Sequence, residues 1–435
     1  MGKSMVVIND AKYAFDMLAM KSRCFSDRPK FVMGGQLVGW DECPGLIPFS
    51  ETWLEYRRLF SQFMGTKSKV AALQNVLHDE TRAYIDSIFK DPRRWVQHSQ
   101  RFSGGIALKI TYGYSAEPED DPLLKLVDEV MAHFSDTMRA NAYMVDLFPI
   151  LRFVPQWFPG ASWKRKAAKY RMNLVHTVNR PYEIVKRKMA DGTAEPCFVM
   201  QALENTTLNS AQHERNIQWA ALGIYGGGAD STTAGIECFV LAMVLHTDEQ
   251  IKAQGELDAV LGSGQLPTLS DRSRLPYVEA LYTEVMRTYT FVPLGLPRTA
   301  TEDVLHDGYF IPKGTTVVSN AWQFLRDPKM YMNPECFDPN RFLGEESRVK
   351  ETDPRDYLFG YGRRICPGMH LAEATMWLAC SSLLASFDIR PPEEDGRSVL
   401  PVPHFMDGSM SHPEHFECTI RPRVSMDRLG RSVLE

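Results

Sequence analysis

The chain has 435 residues, 44% hydrophobic and 24% charged, with a formal net charge of −5. That composition is ordinary for a soluble globular protein, and the slight acidity gives no reason to expect nucleic-acid binding. The eight cysteines are irregularly spaced and include no Cys-x-x-Cys pair, which argues against a zinc site or a disulfide scaffold and suits a reducing compartment.

Met5 to Ile8 is a short β-branched run, after which Asn9-Asp10 can cap a helix through about Met20. Ser26-Asp27-Arg28-Pro29 reads as its end, followed by a Gly/Pro-rich loop to about Phe49. An amphipathic helix comes next, with Trp53 and Arg57 on one face at i, i+4. Such a pair is usually only packed side by side with its charge in solvent. Lys67 to Lys90 and Pro122 to Arg139 read as further helices. Breaks at Phe148-Pro149 and Phe158-Pro159-Gly160 bound an aromatic loop, and Lys164 to Lys188 is long, basic and helical.

The segment from about Ala211 to His246 reads as one helix whose middle is Gly226-Gly227-Gly228-Ala229-Asp230-Ser231-Thr232-Thr233. Three consecutive glycines cost roughly 1 kcal/mol each relative to alanine, so they mark either a break or a place where something approaches the backbone closely. An acid followed by hydroxyls at that point would serve proton delivery to oxygen. No run of about 18 uncharged apolar residues occurs; the longest candidate, Ile217 to His246, is interrupted by Asp230 and Glu237, so no transmembrane helix is expected.

Thr247 and Gln250 have the spacing of a capping box for the next helix. Past Pro276, Glu284 and Arg287 lie at i, i+3, ordinarily a surface ion pair worth about 0.3–0.5 kcal/mol. Thr299 to Asn320 is the clearest β-rich stretch, with turns at Asp307-Gly308 and Lys313-Gly314. Pro401 to Arg421 is extended, and the residues after about Arg423 read as a frayed end.

The strongest signal is Phe359-Gly360-Tyr361-Gly362-Arg363-Arg364-Ile365-Cys366-Pro367-Gly368, ahead of an apolar helix from Met369 to Phe387. Pro367 suits a first helical position, which would put Cys366 at a helix N-terminus where backbone N–H groups lower a thiol pKa. A thiolate at the base of a buried helix is a good axial ligand for haem iron. Gly362 would let the loop turn with no side chain between backbone and macrocycle, and Arg364 has the reach for a haem propionate. An isolated cysteine is most often a small buried hydrophobe, but five fixed positions make a chance match rare.

At Phe-x-x-Gly-x-Arg-x-Cys-x-Gly the chain resembles the cytochrome P450 family of haem-thiolate monooxygenases. The resemblance covers about residues 5 to 423. It implies a mainly α fold with a small β-rich lobe, a single domain over residues 1–435, and haem b (iron protoporphyrin IX) ligated through Cys366. By the same resemblance Trp53, Arg57, Arg298 and Arg364 contact the propionates. Asp230 with Ser231 or Thr232 relays protons, serine here replacing the family's first threonine. Glu284, Arg287 and Arg341, the last within Phe337-Asp338-Pro339-Asn340-Arg341-Phe342, form a structural triad, and Phe291 to Arg298 line the substrate pocket.

The flavour is fungal and microsomal, similar to O-methylsterigmatocystin oxidoreductase-like oxidases of secondary metabolism. The implied reaction inserts one atom of O2 into an apolar small molecule. Electrons come from NADPH–cytochrome P450 reductase, with Arg57, Arg58, Lys67 and Arg363 as its docking face. Full-length relatives sit on the cytosolic face of the endoplasmic reticulum membrane. The helix Lys164 to Lys188 would belong to the lid over the substrate channel. The aromatic loop before it would touch the membrane peripherally, although an ordinary packed loop suits the same residues. The family usually begins with an anchor, a proline-rich hinge, a first helix and a first strand, none of which precedes Met5 to Ile8. The chain as given is therefore expected to fold less well than a longer one and to take up haem partially. Alternatives are a truncated, impaired haem-binding chain, or a haem-thiolate isomerase or dehydratase.

Overall fold

The computed structural model describes residues 4–117, 120–139, 142–205, 210–344 and 349–423. The expected frayed end after Arg423 lies outside them. Strand β1 (Met5–Ile8) leads into helix α1 (Ala11–Phe15), where the Asp10 carboxylate accepts from the Lys12 amide at 2.8 Å. The helix then widens into a π-type turn, Asp16–Met20. The expected loop to Phe49 contains a second such turn, Val32–Val38, whose first amides donate to Asp146 Oδ1 at 2.6 and 3.0 Å. Asp146 thus does from a distance what an N-cap residue does locally, which no nearby residue pattern announces.

Helix α2 (Glu51–Met64) is capped by Ser50, which accepts from the Trp53 amide at 3.2 Å. The single helix expected over 67–90 is two, α3 (Lys67–Ala71) and α4 (Gln74–Lys90). Helix α5 (Trp95–Tyr112) had no counterpart in the sequence reading. Its second half is buried on nearly every side and carries Ser103-Gly104-Gly105, so it shows little of the one-sided pattern that marks a helix. The small residues serve close packing: a Cβ on Gly104 would lie 2.7 Å from Leu124 and 3.1 Å from the Tyr225 hydroxyl.

The chain continues through α6 (Pro122–Met138), α7 (Met144–Leu147), α8 (Ser162–Ala190) and α9 (Phe198–Glu204) to the central helix α10 (Ala211–Leu245). Helix α10 packs against α2, α5, α8 and α9 and later against α12 and α15, given below. It is long and apolar enough to cross a membrane, but 72% of its most apolar window is buried inside the protein. Its all-round apolar surface reflects a core position.

Helix α11 (Thr247–Leu261) follows at once, without the capping box expected from Thr247 and Gln250: the cap residue is His246 and makes no side-chain cap bond. Gln250 is fully buried and exchanges two bonds with Ile389, donating to its carbonyl at 2.8 Å and accepting from its amide at 2.9 Å. A buried amide side chain must satisfy both its polar ends, and an open strand backbone does so where a helix N-terminus offers only donors. The remaining helices are α12 (Pro276–Thr288), α13 (Ala321–Phe324), α14 (Arg355–Leu358) and α15 (Met369–Ser386).

Strands are short. They are β2 (Arg298–Thr299), β3 (Val304–His306), β4 (Tyr309–Ile311) and β5 (Thr316–Ser319), then β6 (Phe387–Arg390), β7 (Glu393–Glu394), β8 (Arg397–Ser398) and β9 (Thr419–Pro422). Strand β5 is central to a three-stranded sheet, parallel to β1 with Met5 opposite Thr316 and antiparallel to β2. The β3–β4 hairpin turns at Asp307 and Gly308 with φ of +50° and +80°, the two left-handed positions of a tight hairpin turn. The fold is mainly helical with a small β-rich lobe, as the sequence led one to expect.

Candidate active site

Cys366 lies between a single 3-10 turn, Gly362–Arg364, and the start of α15 at Met369, with Gly368 as cap residue. Pro367 therefore precedes the helix and does not occupy its first position. The Cys366 amide donates to Phe359 O at 2.8 Å, closing the loop. Burial pushes the Cys366 thiol above its ordinary value, while the Gly368 amide and the Arg57 guanidinium pull the other way. Desolvation and the nearby donors thus act on the thiolate in opposite directions.

Two glycines give the loop its path, Gly360 with φ +76° and Gly362 with φ +53°. A Cβ on Gly362 would lie 2.8 Å from the Leu18 carbonyl oxygen and 3.0 Å from Ala19 Cα. The backbone that demands a glycine here is the Asp16–Met20 turn, where the sequence had suggested a macrocycle.

Four arginines gather beside this loop. Arg57 donates to Ile365 O at 2.7 Å, and Arg298 donates to Leu18 O and Tyr361 O at 2.9 and 2.7 Å. Arg364 donates to Ser26 O and Ile47 O, each at 2.8 Å, and its guanidinium sits 4.7 Å from the centre of the Trp53 ring. The fourth, Arg28, donates to Leu296 O and Pro297 O at 2.6 and 2.7 Å. In the sequence Arg28 is marked only as part of a turn, since an arginine between an acid and a proline carries no more specific signal.

Among the described residues, no ion pair includes any of the four. Burial, with Arg364 and Arg298 close by, holds Arg28 well below the usual guanidinium range. Burial pulls Arg298 down to about 10, and burial together with Arg298 does the same to Arg364. Arg28 Nε and Arg364 Nη1 are buried without a hydrogen-bond partner. Crowded, desolvated cations with unused donors are costly unless an anion answers them. A pair of carboxylates does so, and the two propionates of haem have that chemistry. Nor do three or more His, Cys, Asp or Glu residues gather as a metal cluster among the described residues. A lone sulfur beside an anion site fits a metal that brings its own equatorial ligands.

Helix α10 runs unbroken through Gly226, Gly227 and Gly228. In a helix otherwise largely buried, Gly227 is exposed, and Gly226 and Gly228 to Ser231 are partly so. A Cβ on Gly227 or Gly228 would meet nothing within 4 Å, so this face borders open space. Ser231 Oγ donates back to Gly227 O at 2.8 Å, which leaves its lone pairs free to accept, whereas Thr232 is buried. Asp230 Oδ1 lies 3.2 Å from Nε2 of His412, in the C-terminal segment where nothing in the sequence marks it for this site. Across from Asp230, burial and then its negative charge push the Asp128 carboxyl of α6 up to about 6.

Glu284 and Arg287 are far from a surface pair, since both side chains are wholly buried. Arg287 grips Glu284 with two bonds of 2.7 and 2.8 Å, and Arg341 approaches the same carboxylate at 3.1 Å. The Asp338 amide donates to Glu284 Oε1 at 2.8 Å, while Arg287 and Arg341 both reach Cys336 O. One carboxylate thus ties α12 to the irregular chain that leads toward Cys366. Arg355 adds a second tie, unforeseen from sequence, by pairing with Asp353, Glu279 of α12 and Glu373 of α15. Of the segment 291–298, Phe291 is buried beside α10, 3.5 Å from where a Cβ on Gly235 would sit, and Leu294 is about half exposed.

Against the Cys366 loop a cavity of about 1400 Å³ is lined by Lys67, Gly362, Ile365, His370 and Glu373, with no residue of α10.

The family model for cytochrome P450 matches residues 1–419. Cytochrome P450 monooxygenase 208 of Postia placenta is 42% identical over 422 residues, which cover 97% of this chain and 82% of that one. Cytochrome P450 monooxygenase claR of Ampulloclitocybe clavipes is 38% identical over 436 residues, 100% of this chain and 81% of its own. Among solved structures, a zebra fish cytochrome P450 with progesterone superposes with a TM-score of 0.78 at 23% identity, covering 96% of this chain and 94% of that one; it shares the fold.

Proposed function

Since the chain belongs to the cytochrome P450 family, we propose that Cys366 is the thiolate ligand of its haem iron and that Asp230 and Ser231 handle the protons of its reaction. The enzyme is a haem-thiolate monooxygenase: one atom of O2 enters an apolar small molecule and the other leaves as water. Haem b, when bound, supplies the activation of O2, with the electron-rich sulfur favouring O–O cleavage.

The observation that carries the site assignment is the cluster of buried, unpaired arginines beside Cys366. Arg28, Arg298 and Arg364 would hold the propionates, with Trp53 and Arg57 bracing the same edge. Glu284, Arg287 and Arg341 act structurally, by fixing the chain that presents the sulfur. Asp230 faces the open side of α10 beside the glycines, where a carboxylate can hand on a proton without an intervening side chain.

Ser231 is the better-placed hydroxyl, because it borders open space while Thr232 is buried. Ser231→Ala is expected to leave haem content unchanged and to raise hydrogen peroxide released per NADPH consumed by about tenfold, less than the full loss of a proton-transfer group because Asp230 remains. Thr232→Ala should change that ratio less than about twofold. The reverse order would assign the relay to Thr232.

Electrons reach P450 enzymes from a redox partner. Here we infer NADPH–cytochrome P450 reductase docking over the cavity lined by Lys67 and His370. Of the basic residues expected to form that face, Arg363 stacks over Phe49, Arg58 pairs with Glu55, and Arg57 is turned inward to Ile365 O. We further infer attachment to the endoplasmic reticulum membrane through the chain between α7 and α8. Phe148, Ile150, Phe153, Trp157 and Phe158 there, with Leu147 at the end of α7, are all at least half exposed, more apolar surface than a solvated loop usually carries. We also infer a role in secondary metabolism or detoxification; the relatives themselves are fungal cytochrome P450 monooxygenases.

A further inference from the structure

His412 sits between two carboxylates of α10. Its Nδ1 is 2.8 Å from Glu237 Oε2 and its Nε2 is 3.2 Å from Asp230 Oδ1. A neutral imidazole has one N–H and one lone pair, so one of these contacts would set a lone pair against a carboxylate. With Asp230 and Glu237 both ionised, the two contacts are favourable together only if the ring carries two protons. Burial alone would lower the His412 pKa, yet hydrogen bonds and charge from Asp230 and Glu237 raise it to about 10. Asp128 of α6 lies near enough to Asp230 to feel its charge, so Asp230 has a second acid on its other side.

The loop that carries His412 is pinned. Met406 N donates to His412 O at 2.8 Å, Phe405 and Pro413 form a bridge, and Ser411 N donates to Phe291 O at 2.9 Å. His412 and Glu237 are largely buried, whereas the Asp230 side chain is 41% exposed. The clamp is therefore anchored at its Glu237 end and open at its Asp230 end.

We propose that His412 is a positioning residue for Asp230: fixed by Glu237 at one nitrogen, it holds Asp230 Oδ1 with the other and leaves Oδ2 to the open side of α10. A carboxylate on a two-bond side chain rotates readily when nothing holds it, and a proton carrier has to present one oxygen at a stable place. The inference rests on the reading of Asp230 as the acid of the relay.

The test uses the haem-loaded full chain with His412→Gln, Asp230→Asn and the double variant. If His412 acts through Asp230, His412→Gln raises peroxide per NADPH by about fivefold alone and by almost nothing further in the Asp230→Asn background. Independent of turnover, nitrogen-15 NMR of histidine-labelled protein in its diamagnetic ferrous carbon-monoxide form should show one ring with both nitrogens protonated at about pH 8. That signal should vanish in His412→Gln and titrate at least about one pH unit lower in Asp230→Asn. Equal effects of His412→Gln in both backgrounds, or no doubly protonated ring at that pH, would overturn the proposal. An unchanged peroxide ratio in Asp230→Asn would instead remove the relay reading beneath it. A raised ratio there with none in His412→Gln would remove the positioning role alone.

Discussion

Cys366→Ala is expected to abolish the thiolate-type spectrum and to lower substrate oxygenation at least about a hundredfold, equivalent to nearly 3 kcal/mol of transition-state stabilisation. The fold should survive, because the loop is closed by the Cys366 backbone amide to Phe359 O and not by its side chain. No other cysteine can stand in. Cys380 is buried inside α15, Cys43 is half-buried with its thiol pushed up to about 11, and Cys336 is on the surface. Arg28, Arg298 and Arg364 remain in the variant, so some haem should still bind through its propionates. Haem content, the reduced carbon-monoxide spectrum and product formation together check this. A variant that keeps the wild-type spectrum would contradict ligation by Cys366.

Glu284→Gln should be the most damaging change away from the sulfur. It removes the negative charge from a site with no solvent access and leaves Arg287 without its carboxylate, while Arg341 keeps, among the described residues, Glu351. Breaking a buried pair by deleting one member costs about 3–5 kcal/mol, because the remaining charge stays desolvated. Lys252 and Glu249 have the same i, i+3 spacing on the surface of α11, so Lys252→Ala should cost no more than about 0.5 kcal/mol. Urea unfolding of the two variants side by side measures the contrast, and similar losses would mean that burial adds nothing to the Glu284 pair.

What could be read from sequence was local. The loop from Phe359 to Gly368, the Gly-Gly-x-Asp segment and the Trp53–Arg57 pair are short patterns whose residues stay neighbours in the fold. What could not be read depends on partners far along the chain. His412 meets Asp230 from 182 residues away, and Gln250 meets Ile389 from 139. Neither has a spacing that signals it, and for Gln250 the local capping pattern pointed to the wrong partner. Arg28 is invisible for the same reason, since its significance lies in sharing a buried space with Arg298 and Arg364. Helix α5 was lost because burial on all sides erases the periodicity that reveals a helix. The thiol of Cys366 shows a limit of another kind: the sequence identified the nearby donors but not the desolvation that opposes them.

The most direct measurement is the absorption spectrum of the wild-type chain, purified with haem, reduced and exposed to carbon monoxide. A strongly red-shifted Soret band is expected, lost on Cys366→Ala. Stoichiometric haem without that shift in the wild-type protein would contradict a thiolate ligand and, with it, the assignment of Cys366.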